Sequence, residues 1–316
     1  MDAEKEARCK GSLVFAQMTN DRGIIVKSAR NKAWFALFTT PLYFVFVTVV
    51  IVPFFMGIYY SFFTWDGMPL NPKTFVGIDN FIRLLGDARF GSSILLTVKY
   101  TVIAVLSINL LGLFFALVVT SSLKTRNLAR TIFFMPNLIG GLILGYVWKF
   151  IFTDGFKTVG EVTGLHGLFF NWLLNGDTAL IAIVIVSTWQ MAGYVMIVYV
   201  AGLQAISTEV VEAAEIDGAG YFRRLKDIIF PLLAPSFTIC LFLSLSNSFK
   251  IFDVNLSLTK GGPANLTEMF AMNVYNEIFS YKNYGYGQAK AIVFFVVVAV
   301  ISLTQVYLSK RREVEM

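Results

Sequence analysis

A run of acidic and small residues between two long apolar segments is the part of this chain whose chemistry is easiest to interpret. Residues 212–219 read Glu-Ala-Ala-Glu-Ile-Asp-Gly-Ala, and Pro231 precedes the next apolar segment. A charged helix of this kind lies at a membrane surface, where it meets water or a partner. Anionic lipid prefers basic helices, so the acids argue against a helix that merely rests on headgroups. They favour recognition of a basic cleft on another protein.

Residues that would support other chemistry are sparse. The chain has no Gly-x-x-x-x-Gly-Lys-Ser/Thr phosphate loop, so it should not hydrolyse nucleotides by that route. The single histidine, His166, has no ligand-type neighbours, and we predict no metal site and no catalytic residue. Four lysines lie at or near the ends of apolar segments, where side chains reach the interface, namely Lys99, Lys149, Lys250 and Lys290. The segments therefore lack the deep charges of intramembrane enzymes and of many ion-coupled carriers.

The elements that must position the acidic run are membrane-spanning helices. Hydrophobic residues make up 56% of the 316 and charged residues 15%, and the mean hydropathy is +0.68. Crossing a bilayer takes about 20 apolar residues per helix. Six segments meet this criterion: 34–60, 94–120, 131–152, 178–201, 232–252 and 289–308. Because the apolar runs are long and do not alternate, they predict helices and not a barrel.

The distribution of basic residues predicts the orientation of these spans. With the N-terminus inside, cytoplasmic segments hold sixteen of the 26 Lys and Arg residues, and external segments hold six. Because short basic loops stay on the cytoplasmic side, both termini and the 202–231 loop should be cytoplasmic. The same flanks account for the net charge of +6 without nucleic acid. We predict a basic tail over 1–33, a membrane domain over 34–308 and a short cytoplasmic tail over 309–316.

The local sequence predicts a helix-turn-helix within the 202–231 loop. Ser207 or Thr208 is a suitable N-cap, and Glu209 lies in the first turn, where the helix dipole favours a carboxylate. Gly218 interrupts this helix, because glycine tolerates turn conformations that other residues resist. A second, basic helix over 221–229 should end at Pro231, which would open the fifth span.

The spacing of these residues resembles that of a known family. Glu212-Ala213-Ala214, then Gly218, Ile228 and Pro231, resemble the EAA loop of bacterial ABC importer permeases. Residues 202–206 (Gly-Leu-Gln-Ala-Ile) and Asp217 before Gly218 resemble the sugar-permease branch, which includes the first membrane subunit of maltose-type importers. Residues 135–137, 258–263 and 285–289 agree, so the resemblance extends from about residue 36 to the C-terminus. Ser207 departs from the usual proline and Phe230 from the usual leucine.

The resemblance implies an all-α polytopic membrane protein with six transmembrane helices and a cytoplasmic coupling loop. It would be a non-catalytic subunit in the bacterial inner membrane, with ATP and Mg²⁺ bound by two separate ATPase subunits. Glu212, Ala213, Ala214, Asp217, Gly218 and Pro231 would form the ATPase-coupling site. A second permease, with which such a subunit forms a heterodimer, and an extracytoplasmic solute-binding protein would complete the assembly.

The spans that flank the loop are where such permeases place their sugar contacts. Six polar or aromatic residues recur there at helical spacing: Ser187, Gln190 and Tyr194 on the fourth span, and Ser244, Asn247 and Ser248 on the fifth. Sugars suit aromatic stacking and amide hydrogen bonds, which makes these residues candidates for the substrate pathway. The same residue types also form packing faces between membrane helices, so both roles stay open.

Two classes of function remain open at this point. One is the permease subunit of a carbohydrate importer that works by alternating access, and the other is a membrane scaffold that only recruits a partner. Polar faces within the spans favour transport. Sugar oligomers, sugar alcohols and glycerol-phosphate-type cargo all agree with the resemblance. Lys250 and Asp253 could form a local ion pair or part of an outer gate.

Overall fold

The computed structural model describes residues 34–121 and 125–310. The predicted 1–33 tail and residues 311–316 lie outside this part of the chain. The helices, in chain order, are α1 (Trp34–Ser61), α2 (Asp79–Leu85), α3 (Ala88–Thr120), α4 (Arg126–Leu138), α5 (Gly141–Thr163), α6 (Gly176–Ala205), α7 (Thr208–Ile216), α8 (Tyr221–Leu232), α9 (Ala234–Phe249), α10 (Asp253–Leu258), α11 (Phe270–Tyr275) and α12 (Tyr284–Lys310). A 3₁₀ turn, Trp172–Leu174, precedes α6, and a π-helical turn, Asn276–Ser280, follows α11.

The long helices confirm the predicted all-α membrane architecture. α1, α3, α6 and α12 are each long and apolar enough to cross a bilayer, and the bent pairs α4–α5 and α8–α9 raise the number to six if each pair is one span. Several helices extend beyond the apolar segments that predicted them. α3, for example, begins at Ala88 and not at residue 94, because Asp87 caps it by accepting from the Phe90 N–H.

The third predicted span, 131–152, is not a continuous helix. α4 ends in a 3₁₀ turn, Met135–Leu138, which contains Pro136, and Ile139 and Gly140 are extended before α5 begins. The two helices meet at 97°. Proline lacks the N–H that an α-helix needs, and the following glycine pair lowers helix propensity further. The hydrophobic pattern therefore showed an apolar segment but not the break within it.

The prediction that Pro231 ends the second helix of the loop and opens the fifth span is wrong. α8 continues through Pro231 because the preceding residues, Leu225–Ile229, form a π-helical turn, which loosens the hydrogen-bond ladder where the proline ring would clash. The break falls at Leu233, and α8 and α9 meet there at 68°. Pro235, in the first turn of α9, opens the helix instead.

The chain divides into two compact units between Tyr59 and Tyr60. The first unit contains most of α1, a continuous helix with a π-helical turn at Val47–Ile51. That turn precedes Pro53, as the corresponding turn in α8 precedes Pro231. The second unit contains all the other elements, including a two-stranded antiparallel ribbon, Phe63–Thr64 paired with Thr74–Phe75.

The core of the second unit lies where α3 and α9 pack against α6. Asn109 joins all three helices, because its amide donates to Ser244 Oγ and its carbonyl accepts from Tyr199 Oη, both at 2.8 Å. Gly193 of α6 allows α4 to approach closely, since a Cβ at this position would lie 1.9 Å from the Phe133 carbonyl oxygen. Small residues of this kind are typical of helix contacts in membranes.

Candidate functional site

A polar cavity of about 290 Å³ lies between α3, α6 and the junction of α9 and α10. Its walls contain amides, hydroxyls, one positively charged residue and one negatively charged residue. The lining residues are Tyr100, Ile108, Asn137, Gly141, Ser187, Gln190, Met191, Asn247, Ser248, Lys250, Ile251, Phe252, Asp253 and Val254. Four of the six candidates for the substrate pathway are among them. The cavity is large enough for a small polar molecule.

The α6 wall is held in place by the break between α4 and α5. Gln190 Nε2 donates to the carbonyl of Ile139 at 2.9 Å, which satisfies a backbone group that the break leaves without a helical partner. Ser187, one turn earlier on the same face, donates to the Ile183 carbonyl at 2.8 Å. The Gln190 carbonyl oxygen and the second lone pair of the Ser187 hydroxyl are therefore the groups with capacity to accept from a ligand.

The α9 wall carries two polar side chains with spare hydrogen-bonding capacity. Asn247 is exposed, and its amide nitrogen donates to the Leu243 carbonyl at 2.9 Å. Ser248 is buried, and its hydroxyl has no hydrogen-bond partner among the described residues. A buried hydroxyl without a partner costs free energy, so a polar group that enters the cavity would relieve that cost.

The two charged residues of the cavity follow α9 directly. Lys250 is the C-cap of α9, and Asp253 is the first residue of α10. Within 34–121 and 125–310, no ion pair joins them to each other or to another residue. The local ion pair considered for them is therefore absent from this part of the chain, and both side chains line the cavity.

The remaining two pathway candidates lie elsewhere. Ser244 is fully buried, donates to the Cys240 carbonyl at 2.7 Å and accepts from Asn109, so in this conformation it contributes to helix packing. Tyr194 is 37% exposed and does not line the cavity. Helical spacing grouped these six residues, but the structure places only four of them on the cavity wall.

The first limb of the 202–231 loop is α7. Ser207 caps it by accepting from the Glu209 N–H at 3.3 Å. Glu212 and Ala213 are exposed and Ala214 is half-buried. Among the described residues, Glu212 forms no ion pair, which leaves its carboxylate available to a partner.

The turn after α7 depends on Gly218. Asp217 is the C-cap, and Gly218 has φ +80°, a conformation that side chains with a Cβ disfavour. The Gly218 N–H donates to the Glu215 carbonyl and the Ala219 N–H to the Ala214 carbonyl, the pattern of a Schellman motif. Arg224 of α8 forms an ion pair with the Glu215 side chain, which braces the two limbs. The Schellman motif and the ion pair therefore set the geometry of the helix-turn-helix.

A buried charge cluster connects the start of α3 with α11 and α12, and it corrects one prediction. Lys290, assigned from the sequence to the membrane interface, is fully buried. Its Nζ lies 2.7 Å from Glu277 Oε2, 2.9 Å from Asp87 Oδ2 and 3.1 Å from Asn273 Oδ1. Lys290 does not snorkel to the interface, because its ammonium is buried and paired. Hydropathy does not reveal this arrangement, since the partners come from distant segments.

Asp87 of this cluster precedes α3 and lies outside the spans. Partial burial raises its pKa, but this effect is outweighed by three donors to the carboxylate. They are the Phe90 N–H, the Lys290 ammonium and the Tyr286 hydroxyl. The net result is a pKa lowered from 3.8 to about 2.

Comparison with known proteins places this arrangement in a family. Residues 108–314 match the family described as binding-protein-dependent transport system inner membrane component. The chain belongs to this family. The permease is 47% identical over 290 residues to AmyD of Thermoanaerobacterium thermosulfurigenes, described as a probable starch degradation products transport system permease protein. That alignment covers 92% of this chain and 98% of AmyD.

Further comparisons agree on sequence and fold. The permease is 32% identical to MsmF of Streptococcus mutans, described as a multiple sugar-binding transport system permease protein, over 92% of this chain and 99% of MsmF. A bacterial ABC transporter that imports the acidic polysaccharide alginate has the same fold. Its TM-score is 0.77 at 20% identity, over 91% of this chain and 98% of that one.

The resemblance predicted from the 212–231 motif is thus confirmed, and so is the assignment to sugar permeases. The chain is a multi-pass membrane permease subunit of a carbohydrate ABC importer. A membrane scaffold that does not transport is set aside. The polar cavity between spans agrees with a transport role.

Proposed function

We propose that the cavity between α3, α6 and α9 is part of the carbohydrate pathway and that the 202–231 loop couples it to ATP hydrolysis on a separate subunit. The observation that carries the first part is the convergence of Gln190, Asn247 and Ser248 on one cavity from two helices that are distant in sequence. Amides and hydroxyls of this kind bind sugar hydroxyl groups.

In this proposal the permease pairs with a second permease subunit and binds two cytoplasmic ATPases, which hold the ATP and Mg²⁺. Both termini and the 202–231 loop face the cytoplasm of a bacterial cell, as the basic residues indicate. An extracytoplasmic binding protein delivers the cargo. A related alginate importer has been solved with a pentasaccharide-bound periplasmic protein, which supports such a partner.

The pathway is tested by alanine substitution in the cavity. Gln190→Ala and Asn247→Ala should each reduce uptake of a radiolabelled malto-oligosaccharide by about tenfold, because each removes hydrogen bonds to the cargo. Asn127→Ala is the matched control, since this exposed asparagine of α4 does not line the cavity. Uptake that is unchanged in both cavity variants, measured in proteoliposomes with the complete importer, would refute the assignment.

The coupling role is tested at the turn after α7. Gly218→Leu should weaken ATPase binding or uncouple hydrolysis from uptake, because a leucine at φ +80° costs about 1–2 kcal/mol and distorts the motif. Gly220→Leu is the control, since Gly220 has φ −65° and open space around it. Glu212→Arg should act without altering the fold, because its carboxylate is exposed. Normal substrate-stimulated ATPase activity in Gly218→Leu and Glu212→Arg would contradict the proposal.

A further inference from the structure

The charged residues of the cavity are balanced. Of the fourteen residues that line it, only Lys250 and Asp253 are charged, so the cavity carries one positive and one negative charge. The other polar groups are uncharged amides and hydroxyls. The cavity as a whole is neutral and rich in both donors and acceptors.

The side chain of Asp253 lies at the cavity wall beside Gly141. A Cβ added at Gly141 would lie 2.9 Å from Asp253 Cβ and 3.6 Å from its Oδ2. Gly141 is the first residue of α5, so the carboxylate lies beside a helix N-terminus, where the helix dipole favours negative charge. Lys250 is placed by its position as C-cap of α9. Neither side chain has an ion-pair partner among the described residues, so both are available to cargo.

A neutral cavity whose wall carries a carboxylate distinguishes uncharged cargo from anionic cargo. A sugar hydroxyl donates to Asp253 and accepts from Lys250, and both hydrogen bonds are strengthened by the charge of the protein group. An anionic cargo loses its hydration on entry, and a cavity of zero net charge does not compensate for that loss. Asp253 repels the anion and Lys250 attracts it, so the two charges together leave no net attraction to offset the lost hydration.

We infer that Lys250 and Asp253 are the specificity-determining residues of this permease and select uncharged carbohydrates over carbohydrates that carry a carboxylate or phosphate. The inference rests on the proposed pathway through this cavity. It assigns the cargo to neutral sugars and excludes the glycerol-phosphate type that the sequence left open.

The test compares two probes that differ in one group: maltotriose and its derivative in which the C6 hydroxymethyl of one terminal glucose is oxidised to a carboxylate, with the ring kept closed. Their affinities are measured by ligand-observed NMR titration of the purified importer without binding protein, so that only the permease selects. The wild type should bind maltotriose about tenfold tighter or more. Asp253→Asn should decrease the ratio of the two affinities severalfold, and Lys250→Gln should increase it.

Asp154→Asn is the matched control, because it makes the same change in charge at an exposed position outside the cavity and should leave the ratio unaltered. A wild-type ratio near one overturns the inference. An affinity ratio that does not widen in Lys250→Gln also overturns it. Lys250 is exposed, so this variant still provides a test if Asp253→Asn does not fold. If neither probe binds the wild type and the cavity alanines leave uptake intact, the proposed pathway itself fails.

Discussion

Replacing Lys290 with methionine should destabilise the permease by about 3 kcal/mol, because it removes the cation from a buried charge cluster. The methionine chain occupies most of the lysine's volume, so packing changes little. The carboxylates of Glu277 and Asp87, which lie 2.7 and 2.9 Å from Nζ, would lose their shared partner. Their side chains are only 7% and 19% exposed, so water replaces the ammonium poorly.

The magnitude follows from what each carboxylate retains. Removing one partner of a buried ion pair costs about 3–5 kcal/mol. Asp87 keeps two donors, the Phe90 N–H and the Tyr286 hydroxyl. Among the described residues, the Glu277 carboxylate keeps one donor, the amide of Asn283, which donates to its other oxygen at 2.8 Å. These remaining hydrogen bonds place the expected loss at the lower end of the range.

The assay is reversible unfolding of the purified permease in mixed detergent micelles, followed by circular dichroism. Lys99→Met is the matched control: this lysine pairs with Asp177 at 3.5 Å, but both side chains are largely exposed, so its loss should cost about 1 kcal/mol or less. The double variant Lys290→Met/Glu277→Gln should recover part of the loss, because it removes one of the two uncompensated carboxylates, the one that keeps fewer donors. The reasoning is refuted if Lys290→Met unfolds like Lys99→Met, or if the double variant is no more stable than the single one.

Three other predictions concern stability and use the same unfolding assay. Asn109→Leu should cost about 1–3 kcal/mol, because it removes the acceptor of the Tyr199 hydroxyl and the donor to the Ser244 hydroxyl; an unchanged free energy of unfolding would argue against the buried network. Gly193→Ala should be destabilising by about 1–3 kcal/mol, since its Cβ would meet the Phe133 carbonyl, whereas Gly91→Ala in open space should be neutral or stabilising; equal effects would contradict the close approach. The stability that Asp87 supplies should be complete above its ordinary pKa of 3.8 and be lost as the pH falls through about 2, because its folded pKa is depressed. Asp87→Asn should remove this acid-dependent loss, and an identical pH profile in the variant would be evidence against it.

Much of the architecture could be predicted because it depends on local pattern. Apolar runs of span length follow from the thickness of the bilayer, whatever their neighbours are. The turn at Gly218 and the cap at Ser207 depend on residues within a few positions of each other. The breaks were harder to place. The sequence predicted a helix boundary at Pro231, but a π-helical turn accommodates this proline within a helix. Hydropathy does not reveal such turns.

The sequence by itself determined that this chain crosses the membrane and that it carries acids on a capped helix, because hydropathy and capping are properties of neighbouring residues. Its motif spacing showed a resemblance to carbohydrate importer permeases. Only the tertiary structure decided which polar side chains face the cavity, that Ser244 packs while Ser248 stays unpaired, and that Lys290 is buried in an ion cluster. Those outcomes depend on helices and loops far apart in the chain being brought within hydrogen-bonding distance, and the rotation of one helix against another is not encoded in the spacing along either.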